Sequence, residues 1–328
     1  MKQLPFIDLH QDLLLYEKHK ELFPKDTIPQ TGFVENRRAG AHIVVATAFP
    51  HVENHEYLNK KTNRLIESDL QEYSALYSAQ NKEFQRIQNG NDISMCIEKN
   101  CTGLVLHVEG LNAFSGKQED WNMLERWYEL GLRSIGIVWN LSNSLGGGTL
   151  DQTQGLTPLG EKVILWLTEH NMIIDMAHMN EKTFWDVAER VEYPLVISHG
   201  NARSVCNDPR NYTDEQIKRI ASSGGIIGIF FSKKFITTDS TASLGDVVRH
   251  IDHIRSIVGI DHIGIGSDFG GILSGFPEGL ESVERLEVLW DALRKQGYTE
   301  EEVEKIACKN ALRVLKTILS KNKNVQRI

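Results

Sequence analysis

The chain has 328 residues, of which 41% are hydrophobic and 24% charged, and its formal net charge is -8. A chain of this length and composition buries a substantial core and folds without disulfide or metal staples. Because Lys and Arg are scattered and the net charge is negative, nucleic acid and anionic membrane surfaces are excluded as main partners. The four cysteines (Cys96, Cys101, Cys206 and Cys308) match neither a zinc ribbon nor a disulfide framework, so we expect free buried thiols.

Targeting signals and membrane segments are not expected. No apolar run approaches the roughly 20 residues that span a bilayer. Met1-Lys2-Gln3 leads directly into a strand-like segment without a signal peptide, and residues 316–328 are polar and basic. The sequence therefore predicts a cytoplasmic enzyme, and the absence of a linker predicts one domain over residues 1–328.

Short apolar runs predict eight strands. Most are continuous β-branched or apolar segments, as expected of parallel strands that are buried on both faces. In chain order they are Pro5–Leu9, Ile43–Ala48, Gly103–Val108, Ser134–Val138, Met172–Met176, Leu195–Ser198, Ile226–Phe231 and His262–Gly266.

Amphipathic segments between these runs predict helices, with Thr213 and Ser243 as N-caps of two of them. Tyr57–Ile87 is predicted as one long excursion after the second strand. Eight strands that alternate with helices predict an α/β fold with a closed (β/α)8 TIM-like barrel. The predicted helices are Leu156–His170, Asn180–Val191, Thr213–Ser223 and Leu244–Val258, followed by closing helices Glu281–Lys295 and Glu300–Leu319.

Side chains of types that bind metal ions (His, Asp and Glu) follow five of the eight predicted strands. Since barrel active sites form at the carboxyl ends of strands, these side chains should share one rim. A single strand-end His is more often structural, and Asp268 alone could be an N-cap, but the joint pattern favours a site. The rim residues are His10, Asp12, Glu109, His178, His199 and Asp268.

The donor types indicate a metal centre. His10 and Asp12 are spaced for one face of an extended segment, so both can contact one ion, while Asp8 and Asp175 could orient neighbouring imidazoles. Imidazole and carboxylate donors without cysteine suit zinc, manganese or iron. Five such donors are too many for one open tetrahedral zinc, whereas two ions that share a carboxylate would account for them and could catalyse hydrolysis.

Several motifs at these positions resemble the membrane dipeptidase (renal dipeptidase-like) family of metallopeptidases. The resemblance extends over essentially the whole chain, in the expected order. The matching segments are His10-x-Asp12, Val108-Glu109-Gly110, Thr157-Pro158-Leu159-Gly160, Asp175-Met176-Ala177-His178, Ser198-His199, Gly266-Ser267-Asp268-Phe269, Pro277-Glu278-Gly279-Leu280 and Asn310-Ala311-Leu312-Arg313-Val314.

This resemblance implies a barrel with two zinc ions and a role for each rim residue. His10 and Asp12 would hold one ion, His178 and His199 the other, and Glu109 would bridge them. Asp268 would transfer the proton, and Arg210 would bind a substrate carboxylate, although from the sequence alone Arg210 could equally be a solvated loop charge. The family also implies a homodimer.

Three positions depart from the family pattern. A His that often follows the fourth strand is absent, and Trp139 or Asn140 could donate a hydrogen bond to substrate in its place. The usual Asp-Phe-Asp-Gly stretch has Gly270 at its third position, which removes one carboxylate from the rim. His107, two residues before Glu109, is interpreted as a packing residue, with a contact to a ligand or to substrate as the alternative.

These observations predict a zinc dipeptidase in which a metal-bridging hydroxide attacks the peptide bond of a free dipeptide. A second hypothesis keeps the dinuclear centre but assigns another small amide, lactam or ester as substrate, because the loops and not the fold decide this. A third is a non-catalytic metal-binding barrel. The complete donor set disfavours it, and the missing His favours it.

Overall fold

The architecture is a closed parallel barrel, seen in a computed structural model that describes residues 4–23, 28–49, 60–78, 83–273 and 275–320. The strands are β1 (Phe6–Gln11), β2 (Ala41–Ala48), β3 (Phe84–Arg86), β4 (Thr102–Glu109), β5 (Leu132–Gly136), β6 (Ile173–Asp175), β7 (Val196–Gly200), β8 (Ile226–Ile229) and β9 (Ile263–Ile265). In the described chain, eight of them follow the order β2-β1-β9-β8-β7-β6-β5-β4, and β2 pairs with β4 to close the ring. The predicted fold class and its eight strands are confirmed.

Helices surround the barrel and connect consecutive strands. They are α1 (Leu13–Lys18), α2 (Phe33–Ala39), α3 (Lys60–Ser78), α4 (Gly90–Lys99), α5 (Gln118–Leu130), α6 (Pro158–Glu169), α7 (Glu181–Ala188), α8 (Asp214–Ser222), α9 (Lys233–Ile236), α10 (Leu244–Val258), α11 (Glu287–Lys295), α12 (Glu300–Glu304) and α13 (Asn310–Leu319). No helix in the described ranges is long and apolar enough to span a bilayer.

The excursion between the second and third predicted strands contains more structure than the sequence indicated. Within it lie α3 and the short β3, which pairs with the first residues of β4 outside the barrel. All three residues of β3 are only partly buried. A segment this short shows too little hydrophobic alternation to predict a strand. Residues 57–59 and 79–82 of the predicted excursion lie outside the described ranges.

Local sequence signals account for the helix boundaries. Thr213 and Ser243 cap α8 and α10 through capping boxes, which confirms both predicted N-caps. Thr157 caps α6, with Pro158 in its first turn. A π-helical turn, Lys305–Lys309, connects α12 to α13 where one helix was predicted. The amide of Asn310 donates hydrogen bonds of 2.8 Å to the carbonyls of Ile260 and Ile263, which ties α13 to the start of β9.

Two buried Asp–Ser contacts hold the barrel together where strand pairing is minimal. At the β1–β9 junction, Asp8 accepts hydrogen bonds from the backbone N–H of Ser267 (3.0 Å) and from its hydroxyl (2.6 Å). At the β6–β7 junction, Asp175 accepts the same two bonds from Ser198, at 2.9 and 2.5 Å. Each junction has one register pair between its strands. The two Asp–Ser contacts therefore fix the rim positions that follow them.

Replacement of Ser267 by alanine should destabilise the fold. Ser267→Ala removes the hydroxyl donor at 2.6 Å from the buried Asp8 carboxyl group, while the donors from Gln11 and the backbone remain, and loss of one such buried hydrogen bond costs about 1–3 kcal/mol. The free energy of unfolding, measured by urea denaturation of the metal-stripped protein, should fall by that amount. Ser256→Ala, at an exposed position of α10, serves as the control and should stay within about 0.5 kcal/mol of wild type. Equal stability of the two variants would contradict the role of the Asp8–Ser267 contact.

Candidate metal centre

The barrel brings all six predicted rim residues together at the carboxyl ends of its strands. His10 and His199 lie within β1 and β7, and Glu109 is the last residue of β4. Asp12, His178 and Asp268 lie in the loops that follow β1, β6 and β9. All are buried except Asp268, whose side chain is 15% exposed. The six side chains therefore lie at one rim of the barrel.

A single carboxylate oxygen of Glu109 is the centre of the cluster. Its Oε1 lies 3.0 Å from Nε2 of His178, 3.5 Å from Nε2 of His199 and 3.8 Å from Nε2 of His10. This oxygen is buried and has no hydrogen-bond partner in the described structure. Three imidazole nitrogens from three different strands or loops therefore converge on one acceptor.

The partners of the other ring nitrogens assign the tautomers of two imidazoles. His178 donates from Nδ1 to Oδ1 of Asn140 at 2.8 Å. His199 donates from Nδ1 to the hydroxyl of Ser198 at 2.9 Å, and that hydroxyl donates in turn to Asp175. In neutral rings with a protonated Nδ1, Nε2 carries a lone pair. The two Nε2 atoms lie 3.1 Å apart and face the same carboxylate oxygen.

The pKa values of both imidazoles are lowered, so the rings are neutral at neutral pH. Burial lowers the pKa of His178 to about 4, and the charge on Arg210 acts in the same direction. Burial also lowers the pKa of His199 well below its usual value. Although burial favours the acid form of Glu109, the nearby imidazoles, among which His10 carries a positive charge, outweigh it and lower the pKa of this carboxyl to about 2. A carboxylate and two neutral imidazoles thus face each other as electron-pair donors.

The second half of the cluster contains more carboxyl groups. Nε2 of His10 lies 3.5 Å from Oδ2 of Asp12 and 3.5 Å from Oδ1 of Asp268. Burial opposes the charge on His10, but the carboxylates of Glu109 and Asp12 outweigh it and raise the pKa of His10 to about 10. Burial raises the pKa of Asp268 well above its usual value, and the negative charges on Asp12 and Glu109 add to this effect.

This donor set fits divalent cations. Buried donors with lone pairs directed at one point repel one another, and a cation between them removes the repulsion. Glu109, His178 and His199 form one group whose ligand atoms all lie within 4.8 Å, and His10, His199 and Asp268 form another. Oδ1 of Asp12 is also buried, and none of the described residues forms a hydrogen bond with it. Nitrogen and oxygen donors in this proportion suit zinc and related ions.

Two site residues at the rim have left-handed backbone conformations. His178 and Asp268 have φ values of +63° and +61°, in a region that Asn, Asp and His enter more often than other non-glycine residues. Such conformations persist where surrounding contacts over-determine them, and they cluster at functional sites. The Asp–Ser contacts at Asp8 and Asp175 anchor both segments.

The two glycines after Phe269 are required by close approach of carboxylates and backbone. At Gly271, a Cβ would lie 2.5 Å from Oδ2 of Asp12 and 2.6 Å from Oδ1 of Asp268. At Gly270, φ is +89° and a Cβ would lie 2.5 Å from the backbone oxygen of Asp12. This geometry explains why the stretch has glycine at position 270, where the family pattern has a carboxylate.

A cavity of about 530 Å³ opens above the cluster. Trp139 and Asn140, the predicted substrate contacts, both line it. The Oδ1 atom of Asn140 also accepts the hydrogen bond from His178 described above, so this residue orients an imidazole. The ring of Trp139 lies 5.3 Å from that of Phe49 and 6.0 Å from that of His178, measured between centroids.

Arg210, the predicted carboxylate-binding residue, lies behind the cavity wall. Its guanidinium is buried, donates to the backbone oxygen of His199 at 3.1 Å, and lies 5.5 Å from the ring of Phe230. His199 and Phe230 line the cavity, whereas Arg210 is not among the lining residues. Its Nε has no hydrogen-bond partner in the described ranges.

His107 lies beneath the cluster, inside the barrel. Its Nδ1 lies 2.9 Å from the hydroxyl of Ser134, and its Nε2 lies 3.5 Å from Oδ2 of Asp175. Its ring centroid is 5.4 Å from that of His10. Because His107 is fully buried and does not line the cavity, the packing interpretation fits, and a direct substrate contact does not.

Sequence reasoning missed the residues after the seventh barrel strand, β8. Ser232, Lys233 and Lys234 follow it directly and line the cavity. Their strand-end position was the available signal, but lysines are not metal donors and so did not stand out. Asp8 and Asp175 were expected to orient imidazoles. They accept hydrogen bonds from backbone N–H groups, including that of His10 at 3.2 Å and that of Ala177 at 3.0 Å.

A parallel barrel with buried imidazoles and carboxylates at its carboxyl rim defines a metal-dependent hydrolase. The family model of the membrane dipeptidases (peptidase family M19) matches residues 1–328, and the chain belongs to this family. Family and donor cluster together identify a metal-dependent dipeptidase, an enzyme that hydrolyses peptide bonds.

Relatives and solved structures agree with this membership. An uncharacterised protein from the pqqA 5′ region of Klebsiella pneumoniae is 40% identical over 238 residues, which are 69% of this chain and 86% of that protein. A metallopeptidase from Rhodobacter sphaeroides, solved with a phosphinate mimic of the dipeptide L-Ala-D-Ala, has a TM-score of 0.85 at 24% identity over 97% of this chain and 100% of that one. The metallopeptidase dipeptidase AC of family M19 has a TM-score of 0.84 at 25% identity, over 98% and 100%.

Proposed function

We propose that the protein hydrolyses free dipeptides at a dinuclear zinc site in which Glu109 is the shared ligand. The observation that carries the proposal is the convergence of three Nε2 atoms on Oε1 of Glu109 within 3.8 Å. A carboxylate at the centre of such a cluster can serve two ions at once, while the imidazoles on either side serve one each.

The chain supplies ligands for both ions from opposite sides of Glu109. His10 and Asp12 would hold one ion, and His178 and His199 the other. When bound, the two ions supply Lewis acidity that activates a water and polarises a carbonyl. The protein fixes the ring orientations through Asn140 and Ser198, and such outer partners strengthen metal ligands.

Asp268 is proposed as the group that carries a proton between water and the departing amine. Its carboxyl lies at the edge of the cluster, partly open to the cavity, with Oδ1 at 3.5 Å from His10. It also hydrogen-bonds the Asp12 carboxyl, so a proton can be held at this end of the cluster. An acid that lies beside the reacting atoms and can exchange its proton suits general acid–base catalysis.

The size and polarity of the cavity support a small substrate. A volume of about 530 Å³ lies within the range of pockets that enclose small ligands. Trp139 and Asn140 would contact the substrate from the wall. Arg210 would bind its C-terminal carboxylate, and because the guanidinium lies behind His199 and Phe230, the ring of Phe230 would have to move aside for this contact. The buried, unpartnered Nε of Arg210 supports this role.

Three broader features are part of the same proposal. Residues 1–328 would form one domain, which is supported by the tie between α13 and β9 through Asn310. A cytoplasmic location is supported by the four cysteines, all of which are free thiols, since thiols persist in reducing compartments. A homodimer is supported by exposed apolar side chains such as Leu150 (72% exposed) and Leu165 (58%) that a partner could cover.

The first functional test compares substrate lengths and carboxylates. Zinc-loaded protein should hydrolyse dipeptides and reject tripeptides, because a cavity of about 530 Å³ has to hold both ends of the substrate. Arg210→Ala should lower kcat/KM for free dipeptides by the equivalent of about 2–5 kcal/mol, the cost of leaving a buried charge unpaired. C-terminally amidated dipeptides lack that charge and should lose little.

Matched free and amidated dipeptides therefore act as the control for Arg210. Equal losses on both would show that Arg210 supports the fold and does not bind the carboxylate. Hydrolysis of a small ester or lactam, with no activity on any dipeptide, would favour the second hypothesis. A protein that binds metal and hydrolyses neither class would be the non-catalytic barrel.

Asp268→Asn should separate turnover from metal binding. Asparagine keeps the size and the hydrogen-bonding capacity of the side chain but cannot exchange a proton. Loss of a general acid–base group lowers the rate by roughly 10²–10⁴-fold. We expect this loss in kcat, with the metal content measured by elemental analysis close to that of wild type. Near-full activity of Asp268→Asn with its metals bound would contradict the proton-transfer role.

A further inference from the structure

The cavity above the metal centre has an uneven distribution of charge. Its floor carries the carboxylates of Asp12, Glu109 and Asp268. The cations that line it in the described chain are Lys233 and Lys234, which start α9 directly after β8. In a chain with a net charge of -8, two adjacent lysines at the cavity wall form a local site for an anion.

Local contacts hold these lysines at the wall. The backbone N–H of Lys233 donates to the carbonyl of Gly275 at 2.7 Å, which joins α9 to the loop after β9. The side chain of Lys233 is half-buried, whereas that of Lys234 is exposed. The ammonium of Lys234 lies 5.1 Å from the ring centroid of Phe235, another residue of the wall.

Neither ammonium group has a carboxylate partner within 4.0 Å among the residues that the structure describes. Lys18, which lines another cavity, is by contrast paired with Asp69 at 2.7 Å. Two unpaired positive charges beside a cavity attract a negatively charged group on whatever enters it. This attraction is screened by salt because both side chains reach solvent.

We infer that Lys233 and Lys234 select dipeptides that carry an acidic side chain, Asp or Glu, at the C-terminal position. The inference rests on the proposed function for the class of ligand. The N-terminal amine of a dipeptide is a cation and would face the carboxylate floor. The C-terminal residue would then face Lys233 and Lys234. A carboxylate on its side chain would add a second negative charge to that of the α-carboxylate, and the two lysines would bind it.

In this assignment the three cations bind different carboxylates of the substrate. Arg210, buried behind His199, would serve the α-carboxylate that all free dipeptides possess. Lys233 and Lys234 would serve a group that only acidic dipeptides possess. Glutamate and glutamine have almost the same size and shape, so a difference between Ala-Glu and Ala-Gln isolates the charge.

The kinetic test measures kcat/KM for Ala-Glu and Ala-Gln on zinc-loaded wild type and on the double variant Lys233→Met/Lys234→Met. Methionine keeps an unbranched stem and removes the charge. In wild type, kcat/KM should be about tenfold higher for Ala-Glu than for Ala-Gln, which is equivalent to about 1.4 kcal/mol. In the double variant the ratio should fall toward one. Lys162→Met, on the exposed face of α6, is the matched control and should keep the wild-type ratio.

A binding measurement keeps this inference separate from the proposed catalysis. Calorimetry on the zinc-loaded protein would compare reduced-bond analogues of Ala-Glu and Ala-Gln, which cannot be hydrolysed. Tighter binding of the Glu analogue in wild type, lost in the double variant and weakened by added salt, supports the inference even if no dipeptide is cleaved. Equal binding of the two analogues by wild type would overturn it. An equal loss of both in the double variant would also overturn it, since the lysines would then serve the α-carboxylate or the fold.

Discussion

Buried electron-pair donors that converge on Glu109 are the constraint on which the rim of this barrel depends. Nε2 of His178 and Nε2 of His199 lie 3.1 Å apart, and each faces the carboxylate oxygen of Glu109. Protons cannot relieve this arrangement at neutral pH, because burial keeps both rings neutral and their Nδ1 atoms already donate elsewhere. Divalent cations relieve it, and they do so only while each ring is held in place.

Asp–Ser hydrogen bonds at two places in the fold hold the rim segments that carry the site residues. Asp8 with Ser267 and Asp175 with Ser198 join strands that have one register pair each. In both cases the serine directly precedes a site residue, Asp268 or His199. The same two contacts therefore close the barrel and fix the rim, so fold stability and metal geometry are coupled at these positions. The sequence alone predicted only that the two aspartates orient neighbouring imidazoles.

Much of the fold could be predicted because its signals are local. Continuous β-branched runs such as Ile43–Ala48 predicted the barrel strands, and Thr213 and Ser243 predicted helix starts through capping chemistry. Strand-end position then predicted which donors share a rim. What the sequence could not provide was direction in space. Whether Arg210 faces the cavity or lies behind it, and whether Asn140 contacts an imidazole, depend on loop paths that no periodicity encodes. Lys233 and Lys234 carried no comparable signal in the sequence, because lysine is not a metal donor and a position after a strand does not by itself indicate a cavity.

The proposed role of Glu109 is to join two ions into one centre, and the number of bound metal ions tests this role most directly. Elemental analysis of zinc-supplemented protein, together with anomalous diffraction at the zinc edge, would give the number and the positions of the ions. We expect two ions per chain in wild type, with the carboxylate of Glu109 shared between them. Glu109→Gln should lose both ions. Glu161→Gln, at an exposed position of α6, should keep both. A metal content of at most one ion in wild type would contradict this role of Glu109. Full retention of one ion by Glu109→Gln would contradict it as well.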